Sequence, residues 1–546
     1  MKKQNFLKGS LILMASAAAA KLLGALFKIP LTNLLGGVGM SYFSCAYSIF
    51  MPVYALTVTG ISSAVARMTA QSTALGMHRN ASRVRTTALL FFSLAGLAGS
   101  VLTALLAKPF CVYAADCPEA VPAVIMIAPS VFFGCITAVE RGYYEGLCNM
   151  YPTALSQLAE GVVKMLAGLL LCSYVTENGD VILQYIPQCT DIRALAAAAG
   201  ILGVTLSSVG AALFFAVMAL FRRRSRITGD STLMGHREIS RELASIALPA
   251  GISAVVTNLT SLIDMGTVIG CLSYFGSRTA VPVGMAGEDI PHFVYGSFAG
   301  IALTVFNLVP SVTNMLGKGV LPSITAAWES GDRKALEKGT MQALAAAAVI
   351  AVPAACGMGV LSGEILQFLF PKQSDEVAIC VSSLRYLMPG MVCLCMSFPI
   401  FSMLQAVGKA AVPLKIMLMG AAAKLVGNLL FVPSMGADGA AVSTSICYVL
   451  ILYAAVRVYF KATGVQLSAK PFLSILYSGV MCGAAAYLVS DLMTLHGFGN
   501  TMVLFASTAV GGAVYIGFMA ALRDGFSNSE CGSRYSELKV SALPTD

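Results

Sequence analysis

Long apolar segments dominate the pattern of this chain. About fourteen stretches of roughly 20 mainly apolar residues follow one another, separated by short polar connections. They centre near Ala20, Tyr54, Leu94, Val131, Leu166, Leu213, Val256, Leu303, Ala348, Val392, Met419, Tyr448, Ala484 and Val510. Because hydrocarbon offers the backbone no hydrogen-bond partner, each stretch predicts a membrane-spanning helix. The pattern therefore predicts an all-α integral membrane protein with about fourteen transmembrane helices.

The composition supports this class. Of the 546 residues, 57% are hydrophobic and only 11% are charged, whereas soluble proteins carry roughly 25% charged residues. Such a chain is not a cytosolic enzyme, a disordered protein or a secreted disulfide scaffold. Its start resembles a signal peptide, but the apolar pattern resumes directly after Lys21. We interpret the start as an uncleaved first span.

The distribution of basic residues predicts the topology. If the N-terminus is cytoplasmic, alternate loops collect most of the lysines and arginines, including the run from Arg222 to Arg226. This asymmetry is what the positive-inside rule demands. An even number of spans then returns the C-terminus to the cytoplasm. The net charge of +9 follows from these cytoplasmic loops, and we expect no nucleic-acid partner.

The basic run near the midpoint divides the chain into two similar halves. We predict an N-terminal six-helix bundle at 1–221, a basic cytoplasmic linker at 222–241, a C-terminal six-helix bundle at 242–465, two additional transmembrane helices at 466–523 and a cytoplasmic tail at 524–546. Residues 64–81 resemble residues 319–336, since both reach a glycine and then become basic. A parallel repeat of two bundles is typical of transporters that work by alternating access.

Motifs for catalysis are absent from the sequence. It contains no phosphate-binding loop, no nucleophile elbow and no cysteine or histidine pattern with metal-ligand spacing. We therefore expect no enzymatic activity, no cofactor and no metal. Uphill transport would draw on an ion gradient, the membrane potential or consumption of the transported substrate.

Two lysines in the first span are candidates for substrate binding. Lys21 and Lys28 are seven residues apart, which puts them on one helix face about 10 Å apart along the axis. Charges at membrane depth are costly, and two cations without a local acid need an anion opposite them. A diphosphate with an attached sugar has the required charge and reach. The alternative is that these side chains extend to the membrane interface.

Two further groups of ionisable residues lie within spans. Glu160 and Lys164 are four residues apart in the favourable order for an ion pair, so we predict a structural pair within one helix. Asp264 lies more than a helical turn from either end of the seventh span. Without a partner it would be costly to bury.

Two stretches make the chain recognisable. The segment RGYYEGLCNMYPTALSQLAEGVVKM, from Arg141 to Met165, and the opening FLKGSLILMASAAAAKLLG resemble stage V sporulation protein B and its relatives. These form the oligosaccharide-flippase branch of the superfamily that also holds multidrug exporters and lipid II flippases. The resemblance covers essentially the whole chain. It implies two six-helix bundles in a V around a central cationic cavity, plus two extra C-terminal helices.

The resemblance also implies a function. Such a protein moves an undecaprenyl-diphosphate-linked sugar, a lipid II-like or polysaccharide precursor, across the bacterial plasma membrane during envelope or spore-cortex assembly. Its partners are this lipid and the bilayer, and we expect a monomer. The alternative is a cation-coupled exporter of drugs or metabolites from the same superfamily. A cationic surplus in the spans favours the anionic substrate.

A last expectation concerns Asp264. Its surroundings, TSLIDMGTVIG, resemble the seventh-span acid that helps to bind sodium in some lipid II flippases. The two other ligands there come from the eleventh span, and aligning KIMLMGAAAKLVGNLLF puts Lys424 and Asn428 at those positions. We therefore predict an internal ion pair of Asp264 with Lys424 in the central cavity, with Asn428 nearby, in place of a sodium ion. The alternative is that these side chains face unrelated cavities.

Overall fold

The computed structural model describes an almost entirely helical chain. It describes residues 6–113, 115–185, 191–221, 234–276, 285–287, 289–409, 411–465 and 469–540. The described residues form no β-strand, which confirms the predicted all-α class. Residues 222–233 of the predicted linker, with its arginine run, lie outside the described residues. The predicted domain boundaries remain predictions.

The first half consists of long helices joined by tight turns. In chain order they are α1 (Phe6–Tyr54), α2 (Gly60–Ala74), α3 (His78–Tyr113), α4 (Val121–Ile127), α5 (Pro129–Gly146), α6 (Tyr151–Glu177), α7 (Gly179–Tyr185) and α8 (Ile192–Leu220). A π-helical turn at Ala55–Thr59 makes α1 and α2 continuous. Helix α1 contains a break at Gly36, whose φ of 66° and ψ of −176° are not helical.

The second half continues in the same way and ends with two further helices. They are α9 (His236–Phe275), α10 (Asp289–Ser297), α11 (Leu303–Phe306), α12 (Leu308–Glu329), α13 (Arg333–Val360), α14 (Ser362–Leu369), α15 (Ser374–Ala406), α16 (Val412–Met435), α17 (Ala437–Thr463), α18 (Lys470–Leu495) and α19 (Asn500–Val540). A second π-helical turn, Phe298–Ala302, joins α10 to α11. The combined α10–α11 segment meets α12 at a bend of 44°.

All fourteen predicted span centres lie in helices, but the count of fourteen spans is not confirmed. Eleven helices in the described part are long and apolar enough to cross a membrane, or up to twelve if the bent pair is one span. One of them, Ala18–Ala74, has 57 residues. At 1.5 Å per residue it would extend about 85 Å if straight, so it exceeds two bilayer cores of about 30 Å. Two predicted centres therefore share one helical segment.

The two similar sequences take similar local structures. Helix α2 is followed by Gly76 with a φ of 75°, and α12 is followed by Gly331 with a φ of 68°. Such left-handed turns favour glycine because a Cβ atom is strained there. A helix with basic residues at its start follows each turn, α3 after Gly76 and α13 after Gly331.

Small residues set the helix contacts that position the candidate site. Gly203 on α8 lies so close to Gly168 on α6 that an added Cβ would overlap with the Gly168 backbone. Helix α1 also packs on α6, where Gly168 leaves space for the ring of Phe27. Helix α9 contacts both halves, since it packs on α2 and on α16. The additional helices pack on the second half, where Ser490 of α18 donates a hydrogen bond to Glu364 of α14 over 2.6 Å.

Candidate functional site

Two ends of the helix bundle carry different polar groups. We call the end with Asp191 and Asp289 the outer end and the end with Gly76 and Gly331 the inner end, following the predicted topology. At the inner end, Arg85 of α3 pairs with Glu140 of α5 over 2.6 Å. This pair joins neighbouring helices and is a structural contact.

Both first-span lysines lie in the part of α1 that precedes its break at Gly36. The Lys28 side chain is half-buried, and neither a carboxylate nor a hydrogen-bond acceptor pairs with its ammonium among the described residues. Its carbonyl accepts a hydrogen bond from the Thr32 hydroxyl over 2.8 Å. Lys21 lies two turns earlier on α1, and its side chain lies outside what the structure describes.

The predicted pair of Glu160 and Lys164 is wrong, because each side chain has another partner. The Glu160 carboxylate pairs with Arg141 of α5 over 2.6 Å, and Arg141 also donates to Ser156 over 2.9 Å. The guanidinium therefore binds both Ser156 and Glu160, which lie one turn apart on α6. A planar group with several N–H donors suits such a two-point contact. Lys164 lies one turn further along α6 and donates to the Tyr47 hydroxyl over 2.7 Å.

A small cavity separates α1 from α6 at these residues. It has a volume of about 220 Å³ and is lined by Ala20, Gly24, Gln157, Glu160, Gly161 and Lys164. Gly24 lies one turn from Lys21 and one turn from Lys28 on the same helix face. The cavity therefore adjoins the predicted cationic face of the first span.

The structure brings Asp264, Lys424 and Asn428 together. The Lys424 ammonium lies 2.6 Å from one Asp264 carboxylate oxygen, and the Asn428 amide donates to the other over 3.0 Å. Asp264 is 2%, Lys424 3% and Asn428 0% exposed, so the cluster is enclosed between α9 and α16 rather than open to a cavity. The ammonium balances the charge of Asp264 without a metal ion. The Asn428 amide also donates to the Thr267 hydroxyl.

The two halves touch at the outer end, beside the break in α1. The Gly37 N–H, no longer within a continuous helix, donates to the Glu376 carboxylate of α15 over 3.0 Å. The Asn33 amide donates to the Leu369 carbonyl over 3.0 Å. Gly296 of α10 packs directly against Gly37, where an added Cβ would overlap with the Gly37 carbonyl oxygen. These contacts were not predicted from the sequence, in which the adjacent glycines Gly36 and Gly37 were the available signal.

A polar cavity of about 650 Å³ lies beside these contacts. Arg193 of α8 lines this cavity and pairs with Asp289 of α10 over 3.1 Å. It also pairs with Asp191. Ser41 and the Nδ1 atom of His292 are 3.4 Å apart. Among the described residues, no group of acids, histidines and cysteines is arranged to hold a metal ion. The cavity is a second place where the halves meet through polar groups.

Comparison with known proteins identifies relatives along nearly the whole chain. The profile of the family described as lipid II flippase MurJ matches residues 27–507. Stage V sporulation protein B of Bacillus subtilis (strain 168) is 23% identical over 534 residues, which cover 96% of this chain and 96% of that protein.

Two solved structures have the same fold. Lipid II flippase MurJ in an inward closed conformation superposes with a TM-score of 0.70 at 14% identity, over 94% of this chain and 99% of that one. An inward-facing multidrug resistance transporter of the MATE family superposes with a TM-score of 0.63 at 13% identity, over 84% of this chain and 100% of that one.

We predict that Asp264 and Lys424 stabilise the fold as a pair. Replacing Lys424 by Met leaves a buried carboxylate without its partner and should cost about 3–5 kcal/mol of unfolding free energy. The double variant Asp264→Asn with Lys424→Met should lose less unfolding free energy, because no buried charge is left without a partner. Unfolding of the purified chains in detergent measures both. A single Lys424→Met variant as stable as the unchanged chain would contradict the prediction.

We also predict that Gly296→Ala opens the outer end, because the added methyl group has no space beside Gly37. Ser41 is fully buried there, so a Ser41→Cys chain reports the opening. Its labelling by a membrane-impermeant maleimide, quantified by peptide mass spectrometry, should rise severalfold in the Gly296→Ala background. Gly270→Ala is the control, since nothing lies within 4 Å of its added Cβ. Equal labelling in both backgrounds would refute the contact as a barrier.

Proposed function

The chain belongs to the lipid II flippase MurJ family, and we propose that it translocates an undecaprenyl-diphosphate-linked oligosaccharide across the bacterial plasma membrane by alternating access. Membership follows from the family match over residues 27–507. Members of this family are transporters rather than enzymes. The substrate is a lipid II-like or polysaccharide precursor in this proposal.

One observation carries the choice of an anionic substrate. Lys28 is half-buried in an apolar helix and has no carboxylate partner in the described part of the chain. In contrast, Glu140, Glu160 and Asp264 are each paired with a basic side chain. A charge at membrane depth without a protein partner marks a ligand site. A diphosphate supplies the missing negative charge.

The proposed mechanism follows from this charge balance. The diphosphate and sugar enter between the halves from the inner end, while the prenyl tail remains in lipid. Lys21 and Lys28 compensate the phosphates, in surroundings where charge pairs are stronger than in water. The outer contacts at Gly37 and Gly296 then separate, and the head group leaves on the outer side.

The location and topology are part of the proposal. The protein is a multi-pass protein of the plasma membrane with both termini in the cytoplasm, as the basic loops indicate. It acts as a monomer and has no nucleic-acid partner. The family includes relatives named for sporulation and for lipid II flipping, which fits a role in envelope or spore-cortex assembly.

A second candidate is a cation-coupled exporter of drugs or metabolites. The superposition with a MATE-family multidrug transporter favours this reading, because the same fold serves that function. A site for lipophilic cations needs an acid without a basic partner. Glu140, Glu160 and Asp264 are paired with basic side chains, whereas Glu364 and Glu376 accept hydrogen bonds from Ser490 and from the Gly37 N–H. We prefer the flippase because Lys28 has no carboxylate partner among the described residues.

The first-span lysines provide the main test. In proteoliposomes that contain lipid II, replacing Lys21 or Lys28 by Ala should abolish or strongly reduce flipping, because the diphosphate loses its counter-charge. Lys28 should have the weaker effect, since it lies nearer the interface. Lysine-to-arginine variants should retain part of the rate. The amount of folded protein should change little.

The exposed Lys461, in the last turn of α17, provides the matched control, and Lys461→Met should flip at the unchanged rate. Near-normal flipping by both alanine variants would show that neither Lys21 nor Lys28 is needed to bind the phosphates. Transport of a lipophilic cation, with no flipping of lipid II or other prenyl-diphosphate sugars, would instead support the exporter.

We further predict that flipping is independent of sodium, because Lys424 already neutralises Asp264. Replacing sodium by potassium or choline on both sides of the vesicles should leave the initial rate unchanged. A strict sodium requirement would contradict this prediction but would not affect the proposed flippase function.

A further inference from the structure

We propose that Lys164 of α6 is a second phosphate-binding residue, which forms with Lys28 of α1 a two-lysine site for the diphosphate. The proposal rests on the flippase function proposed above. It deepens that function by adding a residue from a second helix, so that the diphosphate is held between α1 and α6.

The surroundings of Lys164 contain neutral partners. Its ammonium donates to the Tyr47 hydroxyl over 2.7 Å and lies 5.3 Å from the centre of the Phe27 ring and 5.1 Å from that of Tyr47. Aromatic faces and a hydroxyl stabilise a cation but leave its net charge uncompensated. No carboxylate pairs with it in the described ranges.

Lys28 adds a second positive charge at the same place. It directly follows Phe27 on α1, and the Phe27 ring lies 5.3 Å from the Lys164 ammonium, so Lys28 is one residue from the point where α1 meets Lys164. Because neither lysine is paired with a carboxylate among the described residues, an anion bound between α1 and α6 would supply the negative charge that both lack.

Glu160 does not neutralise these lysines. Glu160 lines the same cavity as Lys164, but its carboxylate is held by Arg141 over 2.6 Å. These two charges cancel, so the cavity between α1 and α6 keeps the positive charge of Lys164. Arg141 thus has a positioning role, because it keeps Glu160 from neutralising Lys164.

The chemistry of the site fits a diphosphate diester, which carries one negative charge on each phosphate. A lysine ammonium has three donors, and Tyr47 accepts from one of those of Lys164. The remaining donors are available to phosphate oxygens. Tyr47 positions the ammonium over the cavity and does not contact the substrate in this proposal.

The test measures binding to the purified full-length chain in detergent micelles. The probe is undecaprenyl diphosphate, and undecaprenol, which has the same tail without the charge, is its control. Lys164→Met should weaken binding of the diphosphate by roughly tenfold or more. Lys164→Arg should bind within a few-fold of the unchanged chain, and Lys461→Met should bind equally.

Two further readouts separate binding from a structural role. Lys164→Met should unfold at the same temperature as the unchanged chain or higher, because a half-buried charge without a carboxylate partner is removed. Tyr47→Phe keeps both charges and removes the hydrogen bond to Lys164, so it should weaken diphosphate binding by about threefold. Binding of undecaprenol should not change in any variant.

The outcomes distinguish this proposal from the proposed function. If the unchanged chain flips lipid II and Lys164→Met binds the diphosphate equally well, the role of Lys164 is wrong and the flippase stands. If the unchanged chain neither binds the diphosphate nor flips its sugar conjugates, both proposals fail. If Lys164→Met does not fold, unchanged binding by Tyr47→Phe together with weak binding by Lys164→Arg overturns the two-lysine site.

Discussion

The cost of a charge in an apolar environment is the constraint on which the rest of this structure depends. Each of three acids has a basic partner on another helix: Glu140 with Arg85, Glu160 with Arg141 and Asp264 with Lys424. Removing one member of such a pair is more damaging than removing both, because the remaining charge is left buried. The pairs therefore hold α3, α5 and α6, and separately α9 and α16, in fixed relative positions.

The same constraint distinguishes the candidate site from the scaffold. Lys28 and Lys164 lie outside this system of pairs, although both are half-buried between apolar helices. Arg141 binds Glu160, the acid that lines the same cavity as Lys164. The segment RGYYEG, which carries part of the family resemblance, binds neighbouring helices, with Arg141 paired to Glu160 of α6 and Glu145 accepting from Ser62 of α2. The functional signal is the charge that the scaffold leaves unbalanced.

Alternating access needs halves that close and separate readily, and the outer contacts are of that kind. Gly37 and Gly296 let two backbones approach without interlocking side chains. The exposed pair of Arg193 and Asp289 contributes little, since solvent screens it. The Glu376 carboxylate binds a backbone N–H that the break at Gly36 has released from the helix. Water can replace these hydrogen bonds when the halves separate, whereas the apolar residues of α1 and α10 that pack in one buried cluster must also part.

The sequence by itself determined the membrane class and the positions of the helices, because apolarity is a local property that can be read along the chain. It also indicated Lys28 and, through a resemblance, the grouping of Asp264 with Lys424 and Asn428. Only the tertiary structure decided that Glu160 binds Arg141, and that Lys164 instead contacts Tyr47 and the Phe27 ring of α1. Which charges meet depends on how the helices rotate and cross, and small residues such as Gly161 and Gly168 set that packing. Spacing within one helix cannot reveal a partner on the next, since that partner is chosen by the packing of the whole bundle.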